Sequence, residues 1–212
     1  MDGPSGRFED ARAYLPEPPL PPLLPTTQAP HLRFRGGAGG VRREARAMVK
    51  DGWKGRYYED FEVGDVYRHR LGRTVTESDN TLFTMLTLNT NPIHFDENLA
   101  ASTPYGKVLV NSCFTLSLAV GLSVSDLSEH VMANLGWDGM TLPNPVFVGD
   151  TMYASSEILG KRESSSRPDV GIVTARTTGV NQRGQTIITY ERTFMVYRRG
   201  KDPRDALAFP GA

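Results

Sequence analysis

This chain reads as an α+β domain, one antiparallel sheet wrapped round a single long helix. Three observations point there. Residues 111–125 carry Cys113, Phe114, Leu116, Leu118, Ala119, Val120 and Leu122, broken inside the run only by Ser, Thr and Gly. A helix that is apolar all round is a buried one. Residues 133–141, 151–162, 170–180 and 186–197 alternate apolar and polar side chains with the period of two that strands require. The connections between those stretches are too short for crossover helices, so the strands are expected to run antiparallel.

The elements follow in order. Eight of the fifteen prolines fall in the first thirty residues, and Gly36-Gly37-Ala38-Gly39-Gly40 and an Arg-rich stretch come next. Pro-rich chain is extended and Gly-rich chain is flexible, so neither buries a core. Residues 1–51 are therefore expected to be a disordered tail. A docking segment for an aromatic groove is its functional alternative, and a natural start at Met48 is another reading. The folded domain is expected over residues 52–200.

Residues 65–73 read as a strand, with Val66, Arg68 and Arg70 on one face and Tyr67, His69 and Leu71 on the other. Thr76-Glu77-Ser78-Asp79 reads as a helix start, a hydroxyl N-cap followed by acidic residues in the first turn. Leu82, Phe83, Met85 and Leu86 recur at helical spacing up to Asn89. Residues 97–101 form a short further helix, and the buried helix and four strands follow. In the last strand Ile188, Tyr190, Phe194 and Val196 share a face broken only by Arg192. Asn181-Gln182-Arg183-Gly184 supplies turn residues between the final two strands, which argues for a hairpin. Residues 201–212 are expected to be a second tail.

Composition narrows the function. Basic and acidic residues balance at 24 each, so net charge points to neither nucleic acid nor an anionic membrane surface. Cys113 is the single cysteine, which excludes an internal disulfide and fits a reducing cytoplasm. No apolar run approaches the roughly 18–20 residues of a membrane span. The N-terminus lacks the basic-then-apolar pattern of a signal peptide, so a cytoplasmic location is expected. No spacing of His, Cys and carboxylates suggests a metal site.

The residues that carry chemistry lie in Asn89-Thr90-Asn91-Pro92-Ile93-His94-Phe95-Asp96. Pro92 fixes its own φ and disfavours helix at Asn91. The run is thus expected to be a rigid loop at a helix end that aims His94 in one direction. A neutral imidazole held in place is suited to general-base chemistry near pH 7.

This loop resembles the signature Asp-x-Asn-Pro-x-His-x-Asp of the MaoC-like, or type 2, enoyl-CoA hydratases of the hot-dog fold. Tyr105-Gly106-Lys107-Val108-Leu109-Val110-Asn111-Ser112 is similar to that family's approach to its central helix. Pro145-Val146-Phe147-Val148-Gly149-Asp150-Thr151 is similar to its Pro-Val-Phe-x-Gly-Asp-Thr turn. The likeness covers residues 55–199. It implies a single hot-dog domain and hydration of a 2-enoyl-CoA, or the reverse dehydration. One departure stands out: family members usually carry Asp where this chain has Asn89, and Asn cannot ionise. A subgroup with a similar Asn-containing loop points to short branched or dicarboxylic acyl groups such as itaconyl- or mesaconyl-CoA.

The resemblance implies roles residue by residue. His94 is the general base and Asn89 orients the water. The backbone N–H groups of Ser112 and Cys113, at the start of the central helix, are the candidate oxyanion donors. Asn91, Asn111 and Arg167 are candidate substrate contacts, Arg167 for a CoA phosphate or a second carboxylate. Asn91 and Asp96 also read as braces of the loop, and Arg198, Arg199 and Lys201 as possible phosphate contacts or plain solvated charge. Glu77 and Asp79 read as helix caps, either of which replaces the missing acid if the fold brings it close. Cys113 reads as a small buried apolar residue, and His69 and His130 as structural residues without partners. No cofactor is expected beyond the coenzyme A of the substrate, and a homodimer or dimer of dimers is the expected assembly. An acyl-CoA thioesterase and a non-catalytic acyl-CoA-binding subunit are the alternative functions.

Overall fold

Gly149, with φ of +93°, turns the chain from a loop into the longest strand of the sheet. The computed structural model describes residues 52–206. The expected N-terminal tail, the start at Met48 and residues 207–212 lie outside that range. The described strands are β1 (Val66–Arg68), β2 (Arg73–Thr74), β3 (Val131–Thr141), β4 (Thr151–Glu163), β5 (Val170–Val180) and β6 (Thr186–Tyr197). The sheet order is β1-β4-β5-β6-β3, with β2 also on β4, and every pairing is antiparallel. The helices are α1 (Glu77–Leu86), α2 (Glu97–Ala101) and α3 (Ser112–Leu122). This is the architecture of the hot-dog fold, with α3 lying on the face made by β4, β5 and β6.

The β5–β6 hairpin forms as expected because Asn181 organises its turn. Its Oδ1 accepts from the N–H groups of Arg183 and Gln185 at 3.0 and 3.1 Å. The strand expected over residues 65–73 is instead two short pieces. Between them Gly72 lies against the Tyr153 ring, where an added Cβ would stand 2.4 Å from Cε1.

The core divides at Arg192. On one side Val110, Ala119, Leu122, Met152, Ile188 and Tyr190 pack together. On the other Phe61, Leu127, Ile158, Val173, Phe194 and Val196 form a second cluster. Arg192 between them is 1 % exposed, and its guanidinium lies 4.6 Å over the Phe194 ring. One nitrogen donates to Ser123 Oγ at 3.4 Å. Burial lowers its pKa below the usual guanidinium value.

Two expectations are corrected here. The α3 helix is not covered on every side within one chain: Cys113, Ser117 and Gly121, spaced by four, face outward. Cys113 is therefore exposed rather than a buried apolar residue. The folded region also runs past residue 200. Asp202 is 4 % exposed and accepts from His130 Nδ1 at 2.7 Å, and Pro203–Ala206 forms a 3₁₀ turn. The Tyr57 ring stacks on His130 at 3.9 Å, and its hydroxyl is hydrogen-bonded to Asp205. The Asp205 bond and burial push the Tyr57 pKa up to about 12.

Candidate active site

The His94 loop begins with a helix stop. Thr76 caps α1: its Oγ1 accepts from Asp79 N–H at 3.2 Å, and Asp79 accepts from Thr76 N–H at 2.9 Å. At the far end Leu88 takes φ of +55°. The Leu88 N–H donates to Met85 O at 3.1 Å and the Asn89 N–H to Thr84 O at 3.0 Å. This is a Schellman closure. Asn89 Oδ1 then accepts from Asn91 N–H at 3.1 Å, and Asn91 Oδ1 from Ile93 N–H at 3.2 Å. Pro92–His94 is a single 3₁₀ turn, and Asp96 caps α2 by accepting from Leu99 N–H at 2.9 Å.

His94 is thereby aimed. Its Nδ1 lies 3.0 Å from the carbonyl oxygen of Leu109. A carbonyl only accepts, so Nδ1 carries the proton and Nε2 of the neutral ring keeps its lone pair. His94 lines a cleft of about 350 Å³ together with Glu77, Asn80, Glu97, Lys107 and Phe147. The Lys107 ammonium sits 4.2 Å over the Phe147 ring at its wall.

Asn80, which the sequence reading missed, ties the site together. It is wholly buried, and its Nδ2 donates to His94 O at 2.8 Å and Leu109 O at 3.1 Å. Its Oδ1 accepts from Asn111 N–H at 2.8 Å. One side chain thus joins α1, the His94 loop and the entry to α3. The 3.6 period gave no signal for it: Leu82, Met85 and Leu86, the apolar residues of that period, are exposed, and the helix turns Asn80 and Thr84 inward instead.

The other candidate residues divide. Asn111 is buried and caps α3, its Oδ1 accepting from Cys113 N–H at 2.9 Å and its Nδ2 donating to Thr84 Oγ1 at 3.2 Å. The Cys113 N–H is therefore already engaged, while Ser112, first residue of α3, has no acceptor within the helix. Asn89 and Asn91 do not line the cleft; their side chains brace the loop. Arg167 is exposed in the loop after β4, whereas the cleft adjoins the start of that 13-residue strand. At about 3.3 Å per residue the strand separates them by roughly 40 Å. Arg198 and Arg199 pair with Glu163 and Asp60, and Lys201 with Asp169 at 3.2 Å. Glu77 does reach the cleft, and Asp79 does not: Thr76 and Arg73 hold it and keep its pKa below the usual carboxylate value.

His69 and His130 have partners after all, contributed from distant sequence. His69 Nδ1 lies 2.9 Å from Asp126 Oδ2, and Nε2 lies 2.9 Å from Ser156 Oγ. Ser156 in turn contacts Thr177 Oγ1 at 2.8 Å and is 1 % exposed. An acid–histidine–hydroxyl line of this kind resembles a nucleophilic relay. Here it is sealed beneath β1 and β4, away from the His94 cleft. Burial lowers the His69 pKa, opposed by Asp126. Among the described residues no group of three His, Cys, Asp or Glu side chains is placed to hold a metal ion, and no helix is long and apolar enough to cross a membrane.

The comparisons agree with this architecture. A family model described as mesaconyl-CoA hydratase matches residues 43–207. The mesaconyl-CoA hydratase of Cereibacter sphaeroides is 32% identical over 145 residues, which are 68% of this chain and 42% of that protein. The chain thus spans less than half of that relative. The (R)-specific enoyl-CoA hydratase of Rhodospirillum rubrum is 32% identical over 152 residues, 68% of this chain and 94% of that protein. A conserved Mycobacterium tuberculosis protein with a double hot-dog fold superposes with a TM-score of 0.63 at 24% identity, covering 75% of this chain and 53% of that one. With the matching family model, the Asn-Pro-Ile-His loop and the helix-on-sheet architecture in agreement, this chain belongs to the mesaconyl-CoA hydratase family and carries the MaoC-like hot-dog fold.

Proposed function

We propose that this protein adds water to the double bond of a 2-enoyl-CoA thioester, or catalyses the reverse dehydration, on a short branched or dicarboxylic acyl group such as mesaconyl- or itaconyl-CoA. The observation that carries the reading is the oriented imidazole. The His94 Nδ1–H donates to Leu109 O, which leaves Nε2 with its lone pair on a ring that lines the cleft. The names of the family model and of the Cereibacter sphaeroides relative favour mesaconyl-CoA.

In this mechanism Nε2 takes one proton from water as the oxygen bonds to Cβ. The π pair moves to Cα, and negative charge gathers on the thioester oxygen. We assign the donor for that oxygen to the Ser112 N–H at the positive end of α3, outside the residues that line the cleft, since Asn111 occupies its neighbour. The imidazolium then returns the proton to Cα, so no net proton is consumed. His94→Ala is expected to lower kcat on crotonyl- or mesaconyl-CoA by ~10²–10⁴, with an unchanged circular dichroism spectrum. Release of free thiol in place of loss of enoyl absorbance would replace this reading with a thioesterase. Binding without turnover would replace it with a carrier.

A second copy of the chain completes the assembly in this proposal. The chain covers about half of a protein with two such folds, and its β3 edge is unpaired among the described residues.

A further inference from the structure

We propose that Glu77 supplies, from α1, the carboxylate that the His94 loop lacks at Asn89. The inference rests on the hydratase reading and deepens it. Asn89 cannot ionise, and its Oδ1 is engaged by Asn91 N–H. Asp79 is the other acid at the start of α1, and it is committed to Thr76 and to Arg73 at 2.8 Å. Glu77 has neither tie: it opens α1, is exposed, and lines the same cleft as His94. Asn80, one helical turn further along α1, holds the His94 and Leu109 carbonyls. Residues three apart on a helix share a face, so the contact that fixes the histidine loop also presents Glu77 to the cleft. The helix N-terminus favours a negative side chain at that position. Glu97 also lines the cleft, but from the His94 segment itself, three residues beyond the histidine.

The step balances without any further reactant. Water donates one O–H to His94 Nε2 and the other to the Glu77 carboxylate, which aims the oxygen lone pair at Cβ. The first proton passes to His94 and then to Cα. Glu77 keeps its charge throughout and faces the imidazolium while it exists.

The test uses the full chain with crotonyl-CoA at neutral pH. Glu77→Gln is expected to lower kcat by about 10²-fold with KM within threefold of wild type. Glu77→Asp should retain part of the rate. Glu77→Ala should regain activity saturably with added formate, and His94→Ala should not. A purely structural role for Glu77 would not produce formate rescue. Wild-type kcat in Glu77→Gln, or formate rescue of Glu97→Ala in place of Glu77→Ala, overturns the assignment while the loss in His94→Ala leaves the hydratase reading standing. Absence of turnover by wild type on crotonyl-, mesaconyl- and itaconyl-CoA overturns both.

Discussion

His94 stands out in the sequence because a proline and two asparagines flank it, and those residues make the turn that aims it. The residues that hold it were not legible. Asn80 is one polar side chain in a helix, and its three partners lie 14 to 31 positions away. His69 is hidden for the same reason, since Asp126 and Ser156 reach it only through the fold. Its burial has a measurable consequence. The folded state lowers the His69 pKa, whereas an unfolded histidine titrates near pH 6.5. Below about pH 6.5 the unfolded chain therefore takes up a proton that the folded chain refuses, and stability falls as pH falls. Above that pH both states are neutral at His69 and the contribution vanishes. The unfolding free energy is expected to decline as pH falls below about 6.5, by at most about 1.4 kcal/mol per pH unit. In His69→Gln that part of the slope should disappear; urea titrations across the range give the difference, and an unchanged slope would refute the assignment.

Among the elements, the period-two stretches are the best recorded in the sequence. The spans 170–180 and 186–197 coincide with β5 and β6, because both strands bury one full row of side chains. The Thr76 capping box was equally legible, since all its partners lie within four residues. What periodicity missed was which side of α3 is covered, for an all-apolar helix gives no direction. The end of α1 before Asn89 was expected, but not the left-handed residue that closes it. That closure puts Leu88, 84% exposed, at φ of +55°, where a Cβ costs an L-residue about 1 kcal/mol or more. Glycine is the residue such a position favours. Leu88→Gly is expected to raise stability by about 0.5–1 kcal/mol, the relief of strain exceeding the added entropy of the unfolded chain. Thermal and urea unfolding would show it. A drop in stability would mean that the Leu88 side chain packs against something outside one chain.

At the scale of the whole molecule one sheet edge remains unfinished. Within the described residues β3 pairs only with β6, so an 11-residue strand presents a free row of backbone donors and acceptors. Such an edge is normally protected or paired. The adjoining face is apolar as well. Trp137 stands opposite Arg192 and so belongs to the helix side of the sheet, yet it is 43% exposed while Arg192 is 1% exposed. The difference arises because α3 covers β4 to β6 and stops short of the β3 edge. The outward stripe of Cys113, Ser117 and Gly121 on α3 offers small side chains against which another helix can approach closely. A second copy turned about a two-fold axis would join β3 to β3, cover Trp137 and bury that stripe in one step, the self-complementary contact a cyclic dimer requires. The protein is therefore expected to elute at about twice its 23.4 kDa mass in light-scattering chromatography. Trp137→Lys places a charge in the apolar contact and should shift the population to monomer at micromolar concentration. Because Trp137 is not among the residues that line the His94 cleft, any accompanying loss of hydratase activity should recover as protein concentration rises. A monomeric wild type would refute the dimer, and a Trp137→Lys protein that stays dimeric would place the interface elsewhere.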